Sequence, residues 1–242
     1  PGTQLMNAIA TLVDGRGKIL IDALRPPNLT ADLHAILQDI EPGGNPGDPQ
    51  TDPCWGEPGL TASEKLLGWN AFEVLSFITG NPDKPVNAIP ASATAVYQLR
   101  YVVGTETSAL VERLGQHLSQ QGYPDIEISL LNYSPATRFD PQSPLVSWTL
   151  DMMETVSGKK PALLPNLGGS LPNDVFAEIL GLPTLWIPHS YPSCGQHAPN
   201  EHLLSSVVNE GMAIMTGLFW ALGEQGKDVI DGISLFPNRE TL

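Results

Sequence analysis

The densest group of side chains able to bind a metal lies in the segment GQHAPNEH, from Gly195 to His202. The segment follows an apolar run, TLWIP, that favours a strand, and it precedes a long stretch with helical periodicity. A histidine in a Gly/Pro loop at the end of a strand can offer a ring nitrogen to a metal, and His197 is that residue. A solvated surface histidine is the alternative. Cys194 completes a Cys-x-x-His pattern, but no second pair accompanies it, so a structural zinc finger is disfavoured.

A second candidate is the turn Leu167-Gly168-Gly169-Ser170, placed where a predicted strand gives way to a predicted helix. Free backbone N–H groups and a helix dipole at such a turn suit a carboxylate or a developing oxyanion. An ordinary tight turn with a serine N-cap would give the same sequence.

A third candidate is the pair formed by Asn87, in Asn-Ala-Ile-Pro, and Arg100, thirteen residues later. An arginine that projects from a strand presents a rigid, bidentate fork to a carboxylate. A surface arginine in a weak ion pair is the alternative.

These candidates need elements to position them, and the first 137 residues predict an α+β arrangement of one sheet and two or three helices. Leucine and isoleucine spacing predicts helices around residues 5–12, from Thr30 to residue 40, and over residues 110–118. Strands are predicted at residues 18–22, 72–78, 93–103 and 126–130. In the third of these, Gln98 and Arg100 share one face and Tyr97 and Leu99 the other. Residues 41–60, rich in Pro and Gly, are predicted to be a loop.

The order of predicted helices and strands changes after a linker at residues 133–144. We therefore place a domain boundary near residue 137. Helices are predicted at residues 146–156, from Leu171, and over residues 200–222, with strands at 162–167 and 184–188 between them. Apolar strands that alternate with helices predict part of a parallel α/β sheet, where ligands bind at strand ends.

Composition excludes several kinds of partner. The chain has 242 residues and a net charge of −14, which argues against nucleic acid and anionic membrane surfaces. No apolar run approaches the roughly 20 residues of a membrane span. Two cysteines cannot form a disulfide framework.

Taken together, the segments NAIPASATAVYQLRYVVG, GGSLPNDVF and HAPNEHL, in this order, resemble the di-zinc peptidases and amidohydrolases. That family includes carnosinase-type dipeptidases, acetylornithine deacetylase, succinyl-diaminopimelate desuccinylase and aminoacylase. The opening PGTQLMNAIATLVDGRGKILI is similar to the start of the family's inserted lid domain. The resemblance implies a ferredoxin-like α+β lid with a four-stranded antiparallel sheet at residues 1–137, which forms a homodimer. Residues 138–242 would be the C-terminal part of the αβα catalytic domain.

The resemblance also implies roles for individual residues. His197 would bind one of two zinc ions, and Arg100 would hold the carboxylate of a small peptide or N-acyl amino acid. Asn87 would bind the substrate or the tetrahedral intermediate across the dimer. Gly168, Gly169 and Ser170 would line the substrate pocket.

The family's other metal ligands and its catalytic Glu have no counterpart in this sequence. The chain is therefore expected to be the lid plus part of the catalytic domain of a longer, cytoplasmic-type zinc hydrolase that cleaves an amide bond, and to be inactive alone. Two alternatives are a non-catalytic dimerisation or binding module of the same fold, and a mononuclear metal protein using Cys194 and His197.

Overall fold

Helices dominate the regular structure of the chain. A computed structural model describes residues 1–43, 48, 51–169 and 171–231. In these residues the α-helices are α1 (Gly2–Ile9), α2 (Ala31–Gln38), α3 (Ala62–Leu67), α4 (Leu110–Gln120), α5 (Pro144–Ser157) and α6 (Ser205–Asp231). The strands are β1 (Ala71–Thr79) and β2 (Ala93–Arg100). None of the helices in the described ranges has the length and apolarity needed to cross a bilayer.

The chain divides into two units. The first, here called the amino-terminal unit, contains residues 1–37, 51–136 and 166–169. The second, the carboxy-terminal unit, contains residues 38–50, 137–165 and 170–242. The short segment 166–169 thus packs with residues that precede it in the sequence by 30 or more positions.

The sheet of the amino-terminal unit is an antiparallel pair whose register runs from Ala71 opposite Arg100 to Thr79 opposite Ala93. A bulge between Val74 and Ser76 interrupts it. On one face the rings of Phe72 and Tyr97 stack with their centroids 4.6 Å apart. Successive side chains alternate between the faces, so Arg100 lies on the face opposite Tyr97 and Leu99, as the sequence predicts.

The core of this unit joins that apolar face of the sheet to helices α1 and α4. Burying aliphatic side chains here contributes about 1.5–3 kcal/mol for each large residue. The predicted leucine stripe of α4 is confirmed, since Leu114 and Leu118 are buried. The other buried members are Ala8, Leu12, Ile19, Ile21, Leu24 and Phe72.

Helix α3, which was not predicted from the sequence, is held by a capping box. The Thr61 side chain accepts a hydrogen bond from the Glu64 backbone N–H, and the Glu64 carboxylate accepts one from the Thr61 N–H. The Ser63 hydroxyl donates to the carbonyl of Leu37, 2.9 Å away. The helix ends at Gly68, where a Cβ atom would lie 2.9 Å from Leu37 Cδ1 and 3.1 Å from the carbonyl oxygen of Glu64. A larger residue at position 68 would require these neighbours to shift.

In the carboxy-terminal unit, α5 packs on α6. A Cβ atom at Gly217 would lie 2.5 Å from Val156 Cγ2, so the small residue permits the close approach of the two helices. Trp148 Nε1 donates to Gln225 Oε1 at 3.0 Å. Helix α5 begins after Ser143, whose side chain accepts from the Leu145 N–H, and ends at Gly158 with φ of 68°.

The prediction of more strands is wrong. Within the described ranges β1 and β2 are the only strands, so neither the four-stranded lid sheet nor the parallel sheet of residues 138–242 forms. Residues 18–22 contribute one isolated bridge, Val13 with Ile19. Residues 126–130, 162–167 and 184–188 form no ladder. Apolar runs favour extended backbone, but a strand exists only where a neighbouring backbone supplies hydrogen bonds. At the coarser level the chain is a mixed α/β protein.

Candidate functional site

Arg100 is the last residue of β2, and its guanidinium is fixed at two points. Its Nε–H donates to Oε1 of Gln98 at 3.3 Å, and Nη1 donates to the carbonyl oxygen of Gly168 at 3.2 Å. Gln98 lies two residues earlier on the same face of the strand, which brings the two side chains together. Gly168 is 68 positions away along the chain. Both acceptors are neutral, so they orient the guanidinium without compensating its charge.

Arg100 differs from Arg25 and Arg113, each of which forms an ion pair. Arg25 lies 3.6 Å from a carboxylate oxygen of Asp22, and Arg113 lies 3.9 Å from one of Glu106. Among the residues that the structure describes, no carboxylate forms an ion pair with Arg100. Arg16 and Arg138 also form no ion pair within the described ranges. The Arg100 guanidinium is notable for the two neutral acceptors that orient it. This exposed guanidinium can bind a carboxylate from solution.

The glycine-rich turn reaches Arg100 because Asn166 anchors it. Nδ2 of Asn166 donates to the carbonyl oxygen of Leu67 at 2.7 Å. Leu67 ends α3, where the last carbonyl groups of a helix have no partner within the helix. The structure therefore brings together two of the predicted site residues, Gly168 and Arg100.

The other two residues of the predicted turn are Gly169 and Ser170. Gly169 is exposed, and a Cβ atom there would meet nothing within 4 Å. Ser170 lies outside the described residues. The helical turn that follows begins at Asn173, not at Leu171, and is π-helical over Val175–Ile179. The helix predicted from Leu171 therefore begins two residues later, because Leu171 and Pro172 are not helical.

Asn87 lies in the exposed loop between β1 and β2. The neighbouring backbone is turned by a hydrogen bond from the Ala88 N–H to the Val86 carbonyl, 2.8 Å away. No hydrogen bond within the described residues joins the Asn87 side chain to Arg100.

His197 lies in a loop that is closed by its own residues. The His197 backbone N–H donates to Oε2 of Glu201 at 3.3 Å, and the His202 N–H donates to the carbonyl of Cys194 at 2.9 Å. His197 has φ of 62° and Asn200 has φ of 63°. These are the non-glycine residues at positive φ in the described ranges, and this conformation costs a residue with a Cβ about 1–2 kcal/mol. The strained His197 is exposed.

A two-zinc site needs several protein ligands around each pair of ions. Across residues 1–43, 48, 51–169 and 171–231, no three His, Cys, Asp or Glu side chains lie close enough together to hold a metal. Cys194, the other candidate ligand, is buried. The described residues therefore do not fit a two-zinc centre, and they do not form a three-ligand site around Cys194 and His197.

Two residues of the Arg100 cluster escaped the sequence reading. The face shared by Gln98 and Arg100 was predictable from strand alternation, but the hydrogen bond between their side chains was not. The role of Asn166 could not be predicted from local sequence, because its hydrogen-bond partner Leu67 lies 99 positions away.

Comparison with solved structures shows which known fold the chain shares. The chain is similar to the M20 family metallo-carboxypeptidase Sso-CP2 from Sulfolobus solfataricus, with a TM-score of 0.69 and 23% identity over 90% of this chain and 51% of that one. It is similar to the di-peptidase Dug1p from Saccharomyces cerevisiae, with a TM-score of 0.69 and 21% identity over 92% of this chain and 48% of that one. Human carnosine dipeptidase 1 gives a TM-score of 0.65 and 18% identity over 93% and 49% of the two chains.

These structures share a fold with the chain. The fold is that of M20 metallopeptidases. No family model matches the sequence, and no curated protein matches it. The chain spans about half the length of the solved structures that it matches.

Proposed function

We propose that this chain is part of a zinc-dependent peptidase or amidohydrolase that cleaves an amide bond in a dipeptide or an N-acyl amino acid. The observation that carries the proposal is the Arg100 guanidinium, held by neutral acceptors and without an ion pair in the described ranges, within an M20 metallopeptidase fold. Charge-assisted hydrogen bonds from such a fork select a carboxylate.

Within this proposal Arg100 binds the carboxylate of the substrate. Gly168, Gly169 and Ser170 line the pocket beside it, and Asn87 contributes across a homodimer formed by residues 1–137. Residues 138–242 belong to the catalytic domain. The partners are small carboxylate-bearing substrates rather than nucleic acid or membranes, and a cytoplasmic location belongs to the same proposal.

The metal part of the proposal concerns a larger assembly. His197 contributes one ligand to a metal site that needs residues beyond those described, because the described residues do not fit two zinc ions. The 242-residue chain alone is accordingly expected to be inactive and to hold fewer than two zinc ions. Zinc analysis after gel filtration and a dipeptide hydrolysis assay measure both expectations.

A second candidate is a non-catalytic binding or dimerisation module of the same fold. It is favoured by the absence of a metal-ligand cluster among the described residues. Sequencing the gene upstream of the codon for Pro1 separates the two. A His-x-Asp motif and a Glu-Glu pair in frame support the hydrolase, and a start codon directly before Pro1 supports the module.

Carboxylate recognition is tested with N-acetylglycine and N-acetylglycinamide, titrated into the chain and into its Arg100→Ala and Arg100→Lys variants. Net charge of −14 repels the acid, so a preference for the acid is evidence of a specific site. We expect the wild type to prefer the acid about tenfold, the typical contribution of a charged hydrogen bond, and Arg100→Ala to lose that preference. Equal binding of acid and amide by the wild type would overturn the assignment of Arg100.

A further inference from the structure

The guanidinium of Arg100 has five N–H donors, and the geometry of the donors that are already used limits how it can meet a ligand. One bond goes to Gln98 and one to Gly168, so three donors remain in the part of the chain that the structure describes. The Nε donor is among those used, so the remaining donors are the two on Nη2 and one on Nη1.

The two acceptors are held in different ways. Gln98 lies within the β1–β2 ladder, opposite Glu73, so its backbone is fixed by the sheet. Gly168 is in an irregular, exposed segment, and its carbonyl has no such support. The segment is fastened instead by Asn166, whose side-chain amide donates to the carbonyl of Leu67 at 2.7 Å.

Two hydrogen bonds, joined by the backbone of residues 166–168, therefore connect helix α3 to the guanidinium. The connection runs from the Leu67 carbonyl to the Asn166 amide, along the backbone to the Gly168 carbonyl, and on to Arg100 Nη1. Gln98 holds the opposite side of the guanidinium at Nε. Each member is neutral apart from Arg100, so these bonds fix the direction of the fork and leave its charge for a ligand.

We propose that Gln98 and Asn166 are positioning residues that orient the Arg100 guanidinium for an incoming carboxylate. This inference rests on the proposed carboxylate-binding role of Arg100. An unrestrained arginine loses much of its side-chain freedom on binding, whereas a guanidinium held at two donors has already lost it. Both residues thus act on the affinity for the carboxylate through Arg100 and not by touching the ligand.

The charge of the acceptor gives a test that a merely structural role would not pass. In Gln98→Glu, the acceptor oxygen remains but its negative charge pairs with Arg100 and competes with the ligand. In Gln98→Ala, the acceptor is removed. We expect the preference for N-acetylglycine over N-acetylglycinamide to fall about tenfold in Gln98→Glu and about threefold in Gln98→Ala.

Asn166→Asp tests the hydrogen bond that holds the segment of Gly168. Aspartate has almost the same shape as asparagine but cannot donate to the Leu67 carbonyl. We expect an approximately threefold fall in the acid preference and no change in the affinity for the amide. Gln116→Ala is the matched control, since Gln116 bonds to Glu112 on α4 and takes no part in the cluster. It should bind both ligands as the wild type does.

The outcomes distinguish the positioning role of Gln98 and Asn166 from the proposed role of Arg100. Loss of acid preference in Arg100→Ala together with wild-type preference in all Gln98 and Asn166 variants would overturn the positioning role and keep the proposed function. Wild-type preference in Arg100→Ala would overturn both. Thermal melting of every variant identifies any that fails to fold, and should Asn166→Asp fail, the two Gln98 variants decide the matter.

Discussion

The Arg100 cluster and the His197 loop were both predicted to carry chemistry, and they are built in opposite ways. Arg100 stands at the end of a paired strand, and its guanidinium is oriented by the acceptors Gln98 and Gly168. His197 stands in an irregular loop at φ of 62°, closed by a bond from its own backbone to Glu201. The first is a cation oriented by two acceptors, and the second is an exposed residue at positive φ that belongs to no group of three or more potential metal ligands in the described ranges.

The difference indicates which chemistry this chain can complete. A carboxylate needs one well-oriented cation, and the amino-terminal unit supplies it with local support. A two-metal centre needs many ligands from different elements, and the described residues supply too few. His197 is exposed and at positive φ, and backbone strain of this kind clusters at functional sites, which is consistent with His197 serving a larger site.

The scaffold under the Arg100 cluster gives the largest expected effect. Gly68→Ala places a Cβ atom 2.9 Å from Leu37 Cδ1 and 3.1 Å from the Glu64 carbonyl oxygen, next to the Leu67 carbonyl that holds Asn166. We expect a loss of about 1–3 kcal/mol in the free energy of unfolding and weaker binding of N-acetylglycine. Chemical denaturation and ligand titration measure the two effects.

Gly223→Ala is the matched control. Gly223 is exposed on α6, and a Cβ atom there would meet nothing within 4 Å. This substitution should raise the free energy of unfolding by about 0.5–1 kcal/mol, because alanine favours helix. A Gly68→Ala variant as stable as Gly223→Ala would contradict the described packing around α3.

Strain in the His197 loop predicts a gain in stability. His197→Gly should raise the free energy of unfolding by about 1 kcal/mol relative to His197→Ala, since glycine adopts positive φ without steric cost. Thermal melting of the two variants checks this. Asn200→Gly should gain less, because asparagine tolerates this conformation better than most residues. Equal stability of the two His197 variants would show that the loop is not strained.

Low pH is expected to destabilise helix α3, which supports the Arg100 cluster, by protonating the Glu64 carboxylate of its capping box. Burial raises the pKa of this carboxyl, but the Thr61 N–H, His34 and the Thr61 hydroxyl outweigh it, and the pKa lies below its ordinary value of 4.5. A carboxyl with a lowered pKa stabilises the fold above pH 4.5, and this stabilisation is lost as the pH falls through the folded-state pKa. Glu64→Gln should therefore flatten the fall in melting temperature below pH 4.5. An unchanged acid profile in this variant would contradict the role of the capping box.

The smallest effect is expected at Glu201. Glu201→Gln keeps an acceptor for the His197 N–H, so melting temperature should change little, whereas Glu201→Ala should lose about 0.5–1.5 kcal/mol. Identical stability of both variants would show that the bond does not close the loop.

Local patterns predicted much of the helical framework and the sheet face that carries Arg100. The alternation of Tyr97, Gln98, Leu99 and Arg100 is confirmed by the packing of Tyr97 and Leu99 on the core. The capping sequence from Thr61 to Glu64 is a local signal from which α3 could be predicted.

The features that the sequence could not predict are those that depend on partners far away along the chain. Residues 162–167 and 184–188 have the composition of buried strands, but composition does not specify whether a neighbouring backbone is present. The bond between Asn166 and Leu67 spans 99 positions, and no periodicity predicts it. The roles of Asn87 and Gly169 remain predictions from the family resemblance.

The central claim is that this chain recognises a carboxylate at Arg100 independently of a metal centre. Calorimetric titration of the wild-type chain with N-acetylglycine and N-acetylglycinamide, in the presence of zinc and again in EDTA, tests it most directly. We predict an acid preference of about tenfold that is the same under both conditions. A preference that appears only with two zinc ions bound to each chain would contradict it.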